Sequence, residues 1–326
     1  MGKKNLLSLL ILSIVVMILP LIINNPYYLS ILIFVGIYSL ITIGLSLLMG
    51  YAGQISLGQA AFFGLGAYTS GILTTKFALS PWIALIIAIF VTAGVAFLIG
   101  IPALKLKGHY LAMATLAFGQ IIFIIFNQEI TYTGGPSGFG QIPYFKLGKF
   151  MLDSDFRYYY FVWIIVLITL TLSLNLIHSR VGRALRSIHG GEITANIMGV
   201  NTARYKIDVF VLSAVYASIA GSLYAHFVTF LSPGTFGFSF SIALLTMVAV
   251  GGMASVWGAI MGTALLTILP EFLRIFHDYD ILIYGSTLLF IMILLPEGFF
   301  IGLFNLIRKG NLPQSHLLKK LLETRR

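Results

Sequence analysis

Ten apolar runs, each close to the length a helix needs to cross a membrane, constrain this chain more than any other feature. A hydrocarbon core is about 30 Å thick and takes about 20 helical residues to cross. The runs fall at residues 6–23, 29–49, 58–75, 82–104, 109–126, 159–177, 209–231, 241–256, 258–276 and 281–295. With 59% hydrophobic residues, 9% charged residues and a mean hydropathy of +0.99, a water-soluble surface cannot be assembled from what remains. The expected fold is therefore an all-α polytopic membrane protein of about ten transmembrane helices. The segments between runs are too small to bury a core of their own. Residues 1–310 are expected to form one transmembrane domain, and residues 311–326 a basic tail.

Basic residues orient the spans, because Lys and Arg accumulate on the cytoplasmic side. With both termini inside, Lys3, Lys4, Lys105, Lys107, Arg180, Arg183, Arg186, Arg204, Lys206, Arg308, Lys309, Lys319, Lys320, Arg325 and Arg326 face the cytoplasm, which is 15 of 20. Lys76, Lys146, Lys149, Arg157 and Arg274 fall outside, together with the acidic Glu129, Asp153, Asp155, Asp278 and Asp280. The formal charge of +10 is dispersed along membrane boundaries and the tail. Anionic lipid is thus the expected counterpart, and nucleic acid is not. Lys3 and Lys4 before an apolar run mimic a secretion signal, but Asn24-Asn25-Pro26 stands where small residues would be cleaved, so a retained first helix is expected. Without cysteine there is no disulfide, thiolate catalysis or Cys-ligated metal.

Two Gly-rich segments break the pattern. The run Gly50-Tyr51-Ala52-Gly53-Gln54-Ile55-Ser56-Leu57-Gly58-Gln59-Ala60-Ala61-Phe62-Phe63-Gly64 brings four glycines and the polar Gln54, Ser56 and Gln59 to membrane depth. Irregular backbone is tolerated there when it is buried in protein or faces a water-filled path. One reading makes Gly53, Gln54, Ser56, Gly58 and Gln59 part of a translocation path; the other makes the glycines close-packing sites. The second segment, Ser232-Pro233-Gly234-Thr235-Phe236-Gly237-Phe238-Ser239, adds Gly234 and Gly237. If spans two to five and seven to ten are inverted repeats, it matches the first segment on the opposite side of the membrane. Gly251-Gly252 interrupts the short eighth span, and Gly258-x-x-x-Gly262 reads as a packing face. Thr133-Gly134-Gly135-Pro136-Ser137-Gly138 reads as an outer turn, either plain surface or a contact for a delivery protein.

Enzymatic signatures are missing: there is no phosphate-binding Gly-x-x-x-x-Gly-Lys-Ser/Thr loop, no His-Glu-x-x-His and no carboxylate pair at helical spacing inside a span. Ionisable residues within spans are few, whereas ion-coupled carriers place such groups at the midplane as relays. Asp208, Glu271 and Arg274 suit helix ends. His109 and His226 read as interfacial or hydrogen-bonded residues, not proton shuttles.

The polar segment 178–206 carries five of the twenty basic residues between two apolar spans. Glu192 to Met198 can form two helical turns with Ile193 and Ile197 on one side, and Gly199 supplies the stop. Thr202 is placed to cap the next span, with Arg204 and Lys206 at the lipid boundary. Exposed Ile and Met on a cytosolic helix are costly unless covered, either by the membrane surface or by a partner's groove.

Several motifs in one order now carry a resemblance. Gly50 to Phe62, Thr133-Gly134-Gly135, Gly182-Arg183-Ala184-Leu185-Arg186-Ser187-Ile188, Met198-Gly199-Val200-Asn201, Ala203-Arg204-Tyr205-Lys206, Gly221-Ser222-Leu223-Tyr224-Ala225 and Gly251-Gly252 resemble the LivM-type permeases of branched-chain amino acid ABC importers, over residues 29–297. The resemblance implies a ten-helix inner-membrane permease that pairs with a similar but distinct permease as a heterodimer, two cytoplasmic ATPases and an external substrate-binding protein. It also implies no cofactor, and coupling to the ATPases through Arg183, Arg186, Glu192, Ala195, Ile197, Met198 and Gly199. Ala195-x-x-x-Gly199 fits the coupling pattern of such importers, with Glu192 one residue further from the glycine than usual. The rival expectations are a self-sufficient carrier driven by an ion gradient, a permease for urea or amides and, less favoured, a passive channel.

Overall fold

The computed structural model describes residues 3–23, 25–147, 150–273 and 285–286. The expected tenth span at 281–295, the end of the ninth and the tail at 311–326 lie outside the described residues, as do Arg274, Asp278 and Asp280. The helices run in the order α1 (Lys3–Ile22), α2 (Pro26–Ser46), α3 (Gln59–Thr75), α4 (Pro81–Ala103), α5 (His109–Gln128), α6 (Ile130–Thr133), α7 (Asp155–His178), α8 (Arg180–Gly190), α9 (Glu192–Ile197), α10 (Thr202–Val228), α11 (Phe238–Gly251) and α12 (Val256–Leu273). A two-residue ladder, β1 (Lys146–Leu147) with antiparallel β2 (Phe150–Met151), lies in the loop before α7.

Among the described residues, seven helices are long and apolar enough to cross a membrane: α1, α2 with the turn that extends it to Tyr51, α4, α5, α7, α10 and α12. Two more apolar helices fall short of that length, α3 with 17 residues and α11 with 14. Local signals set several starts. Asn25 accepts from Tyr27 N at 3.0 Å and Pro26 opens α2, where its missing N–H costs nothing. α10 begins at Thr202, seven residues before the expected 209, and its cap is Asn201, whose Oδ1 accepts from Arg204 N at 3.1 Å. The Thr202 hydroxyl, expected to be that cap, instead donates to Asn196 Oδ1 at 3.0 Å.

α2 and α10 form the centre of the bundle. α10 packs on α2, α3 and α4, while α2 also carries α7 and α12, and α11 lies on α12. Association inside a membrane gains little from hydrophobicity and depends on close approach and interhelical hydrogen bonds. Both occur here. A Cβ on Gly221 would stand 2.0 Å from Phe63 O, and one on Gly66 would stand 2.3 Å from Ser218 O, so α3 and α10 touch backbone to backbone. Gly258 and Gly262 press in the same way on Gly251 and on Met247 O of α11, as their spacing suggests. Thr42 and Thr263 hydroxyls pair at 2.7 Å between α2 and α12, and Thr92 donates to Ser218 at 3.0 Å between α4 and α10. Outward faces are apolar, with Leu7, Met17, Phe90, Leu98 and Met113 exposed for lipid.

Replacing Gly221 by Ala should cost about 1–3 kcal/mol through overpacking. Gly94, which has no atom within 4 Å of an added Cβ, is the control. In a thermal unfolding series on detergent-purified protein, Gly221→Ala should lower the midpoint clearly and Gly94→Ala should leave it nearly unchanged.

Candidate functional site

α2 ends in a widened turn, Leu47–Tyr51, in which Ala52 N reaches Leu47 O at 3.3 Å, five residues back. Such widened turns often mark functional positions. The chain then runs without helix to Gln59. Gly53 takes φ +67, a left-handed conformation that glycine enters freely. Gln54 Nε2 donates to Ala52 O at 3.0 Å, Gly58 N to Ser56 Oγ at 3.4 Å, and Leu57 N to Thr115 Oγ1 of α5 at 3.0 Å. Gln59 opens α3 at mid-depth, because its Nε2 donates to Ser213 Oγ at 3.0 Å and Ser213 is twelfth of the 27 residues of α10. Gln59 is 1% exposed and its Oε1 has no partner among the described residues.

A second break enters from the opposite side. α10 closes at Thr229 in a left-handed conformation, and Leu231 pairs with Phe139 through backbone bonds of 2.9 and 3.0 Å. The turn Pro233–Phe236 then drives Phe236 between Phe63, Tyr68, Phe126 and Tyr224. α11 is about 21 Å long at 1.5 Å per residue, against about 39 Å for α2 with its turn. It therefore starts inside the layer, behind an exposed Gly234 and a half-buried Gly237. The two breaks meet where Ser241 Oγ, in the first turn of α11, accepts from Ala60 N in the first turn of α3 at 3.2 Å. Gly53, Gln54, Ser56, Gly58 and Gln59 thus belong to one break and Gly234 and Gly237 to the other.

The turn expected outside is anchored from within, while Pro136 and Ser137 stay exposed. Thr133 is buried, its hydroxyl donates to Phe126 O at 2.7 Å and accepts from Gly135 N at 3.2 Å, and a Cβ on Gly138 would strike Leu231 O. It buttresses the second break. His226, fully buried in α10, joins the same region: Nε2 pairs with Ser70 Oγ at 2.9 Å and Nδ1 with Pro143 O at 2.6 Å. It is hydrogen-bonded within the fold, whereas His109 is exposed at the start of α5.

At the other end of the bundle, segment 178–206 forms two helices. α8 buries Gly182, Leu185 and Ile188 and exposes Arg180, Arg183 and Arg186. Gly182 fits against Ile177 O, to which Arg186 Nη2 donates at 3.2 Å. The end of α8 reaches the first break: a Cβ on Gly53 would lie 3.0 Å from His189 Nδ1. α9 buries Ala195 and presents Ile193, Ile197 and Met198, which are 70%, 80% and 79% exposed. Gly199 closes it at φ +83, with Gly199 N bonding Asn196 O and Val200 N bonding Ala195 O, both at 3.0 Å. The space beside Gly199 is open, with no atom within 4 Å of an added Cβ.

Lys206 does not point to lipid. It is 3% exposed, and its Nζ donates to Glu192 Oε1 and to Leu104 O, each at 2.8 Å. Lys107 Nζ adds a longer contact to Glu192 Oε2 at 3.7 Å. A buried ammonium needs acceptors, and it finds a carboxylate on α9 and a carbonyl left over at the end of α4. The cluster clamps α4, α9 and α10 together. Partial burial by itself would raise the Glu192 carboxyl. The Lys206 hydrogen bond and charge and the charge of Lys107 outweigh it, and the carboxyl is held below the ordinary Glu value. Adjacent basic residues in the sequence hide this inward turn of one of them; the 14-residue separation of Glu192 and Lys206 gives no helical signal.

These features define a multi-pass membrane protein in which two helix breaks meet inside the bundle, the first of them beside the short helices α8 and α9. The family described as Branched-chain amino acid transport system / permease component matches residues 27–295, and the chain belongs to that family. It is 32% identical over 285 residues to the high-affinity branched-chain amino acid transport system permease proteins LivM of Salmonella typhimurium and of Escherichia coli, covering 80% of this chain and 67% of each relative. The corresponding permease protein LivH of Escherichia coli is 28% identical over 123 residues, 37% of this chain and 40% of the relative. No solved structure matches the chain.

Glu192→Ala should leave Lys206 buried with one neutral acceptor and cost about 3 kcal/mol. Lys206→Met should cost less, and the two together less than their sum, as a double-mutant cycle of thermal midpoints would read. Since the folded Glu192 carboxyl lies below its unfolded value, its stabilisation is complete above that value and is lost as pH falls through the folded one. Proteolytic cutting within 191–200 should accordingly stay slow at neutral pH and quicken only below about pH 4.5.

Proposed function

We propose that this chain is the membrane permease subunit of an ATP-driven importer, passing branched-chain amino acids delivered by an external binding protein into the cell. Family membership supports the cargo class and the kind of subunit. The observation that carries the mechanism is a continuous line of contacts. It runs from the bare apolar tip of α9, through α8, to His189 against Gly53, and across the first break to Ser241 of the second. Two cytoplasmic ATPases grip α9 and α8 through Ile197, Met198 and Gly199 together with Arg183 and Arg186, while Ala195 and Glu192 seat the helix on the bundle. ATP-driven closure then displaces the handle and, through it, the first break.

A paralogous permease completes a heterodimer, for which the shorter likeness to LivH is the supporting observation. The path lies along Gly53, Gln54, Ser56, Gly58, Gln59, Gly234 and Gly237. An exposed helix start inside a membrane is acceptable when it faces protein or water and is costly against lipid. Residues 1–310 act as one permease domain of ten spans, with residues 311–326 as a cytoplasmic tail. Inverted repeats are supported by mirrored pairs: the Thr42–Thr263 contact joins α2 to α12 as Thr92–Ser218 joins α10 to α4. Both termini lie in the cytoplasm. In support, Lys105 and Lys107 follow the end of α4 that Lys206 bonds, on the side of the handle, whereas Lys76 bonds Thr131 O and Trp82 bonds Lys146 O at the opposite end.

Reconstituted in liposomes with the second permease, the ATPases and the binding protein, the chain should accumulate leucine when ATP is supplied. Excess valine should compete, and urea should not. The chain alone, under an ion gradient without ATP, should accumulate none; concentrative uptake there would establish the ion-coupled carrier instead. Ile197→Asp should weaken ATPase co-purification by about 30-fold or more, as for a central interface residue. Gly199→Leu, strained at φ +83 and projecting into the docking space, should cut coupled uptake severely.

A further inference from the structure

One cavity borders the motor contact proposed above and shares Arg183 and Gly199 with it. It is a groove of about 770 Å³ between α8 and the first turns of α10, and Arg180, Arg183, Ser187, Asn201, Arg204 and Asp208 line it. Three guanidiniums face one carboxylate. That carboxylate is already engaged, because Asp208 lies 3.9 Å from Arg204 at i, i+4. Arg180 and Arg183 have no carboxylate within ion-pair distance among the described residues. The groove therefore holds surplus positive charge of the planar, forked kind that pairs with phosphate oxygens. The helix starts beside it are already capped, since Ser179 Oγ accepts from Val181 N and Asn201 Oδ1 from Arg204 N, so anion recognition falls to the side chains.

Depth decides which phosphate. Lys206, between Arg204 and Asp208 in α10, bonds Leu104 O at the end of α4, so the groove stands level with the ends of membrane helices. That is the level of lipid phosphates. Tyr205 is half-buried at the groove wall, apolar ring and polar tip together, as in residues that sit among headgroups. Basic pockets between helices at this level hold the headgroups of anionic lipids. The volume suits a glycerophosphate headgroup with the first carbons of its chains.

We propose that the groove between α8 and α10 is a binding site for the phosphate headgroup of an anionic phospholipid, held by Arg183 and Arg204 with Arg180 at its mouth. Lipid binding is read without cargo or motor, and Arg183 belongs both to this groove and to the motor contact proposed above. The test uses the full-length chain purified in detergent and native mass spectrometry with phosphatidylglycerol or phosphatidylcholine added at equal concentration. The wild-type chain should retain phosphatidylglycerol about tenfold better, and Arg183→Gln/Arg204→Gln should lose most of that preference. Ser187→Trp fills the groove without removing charge and should lose it too, which keeps the test decisive if the double variant does not fold. Arg157→Gln, on the opposite end, should behave as wild type.

Inorganic phosphate at about ten millimolar should fail to release the lipid, because millimolar phosphate lacks the glycerol and chain contacts. Complete release by phosphate would overturn the lipid assignment in favour of the free anion. No preference in the wild type, or a preference unchanged in both groove variants, would overturn the site.

Discussion

An amide inside a bilayer has no water to turn to, and the architecture of this chain follows from meeting that demand where helices are interrupted. Both interruptions lie within the bundle, and the first finds its partners on other helices: Ala60 N donates to Ser241 Oγ of α11, and the Gln59 side-chain amide to Ser213 of α10. Thr115 supplies the acceptor for Leu57 N from a third helix. These bonds require α3, α5, α10 and α11 to stand at fixed heights. The backbone contacts at Gly66 and Gly221 then hold α3 and α10 at that height without a side chain between them. Small residues and hydroxyls, not bulk, therefore set the packing.

The coarse fold was legible because its signal is additive over about 20 residues: apolar length marks a crossing whatever the neighbours do. The breaks were legible too, since glycine and amide side chains are out of place in a lipid-facing helix. Their meeting was not, because it depends on Ser241 and Ala60, which are 181 residues apart and ordinary in composition. The same limit hid the role of Lys206. A Lys beside Arg204 at a helix start reads as a headgroup anchor, and the inward rotation that buries it is fixed by Glu192 and Leu104, both supplied by other helices. Helix ends were misjudged for a related reason. α10 begins seven residues before its apolar run because Asn201 caps it through polar residues that hydropathy discounts.

The handle joins two kinds of surface. Its inner side is pinned by a charged cluster and by Gly182 against Ile177, while its outer side presents Ile193, Ile197 and Met198 to solvent. Pinning a short helix of six residues matters because it would not persist by itself. In the proposed function, an element that is held inward yet apolar outward is suited to transmit displacement from a partner. His189 lies against Gly53, so the end of α8 borders the first break.

The bare tip of α9 also has a consequence for the life of the protein in a cell. A subunit synthesised in excess of whatever covers Ile197 and Met198 carries a sticky apolar patch, of the sort that chaperones hold and quality-control proteases seize. If the proposed partners cover that patch, its copy number follows theirs, because orphans are the copies left exposed to destruction.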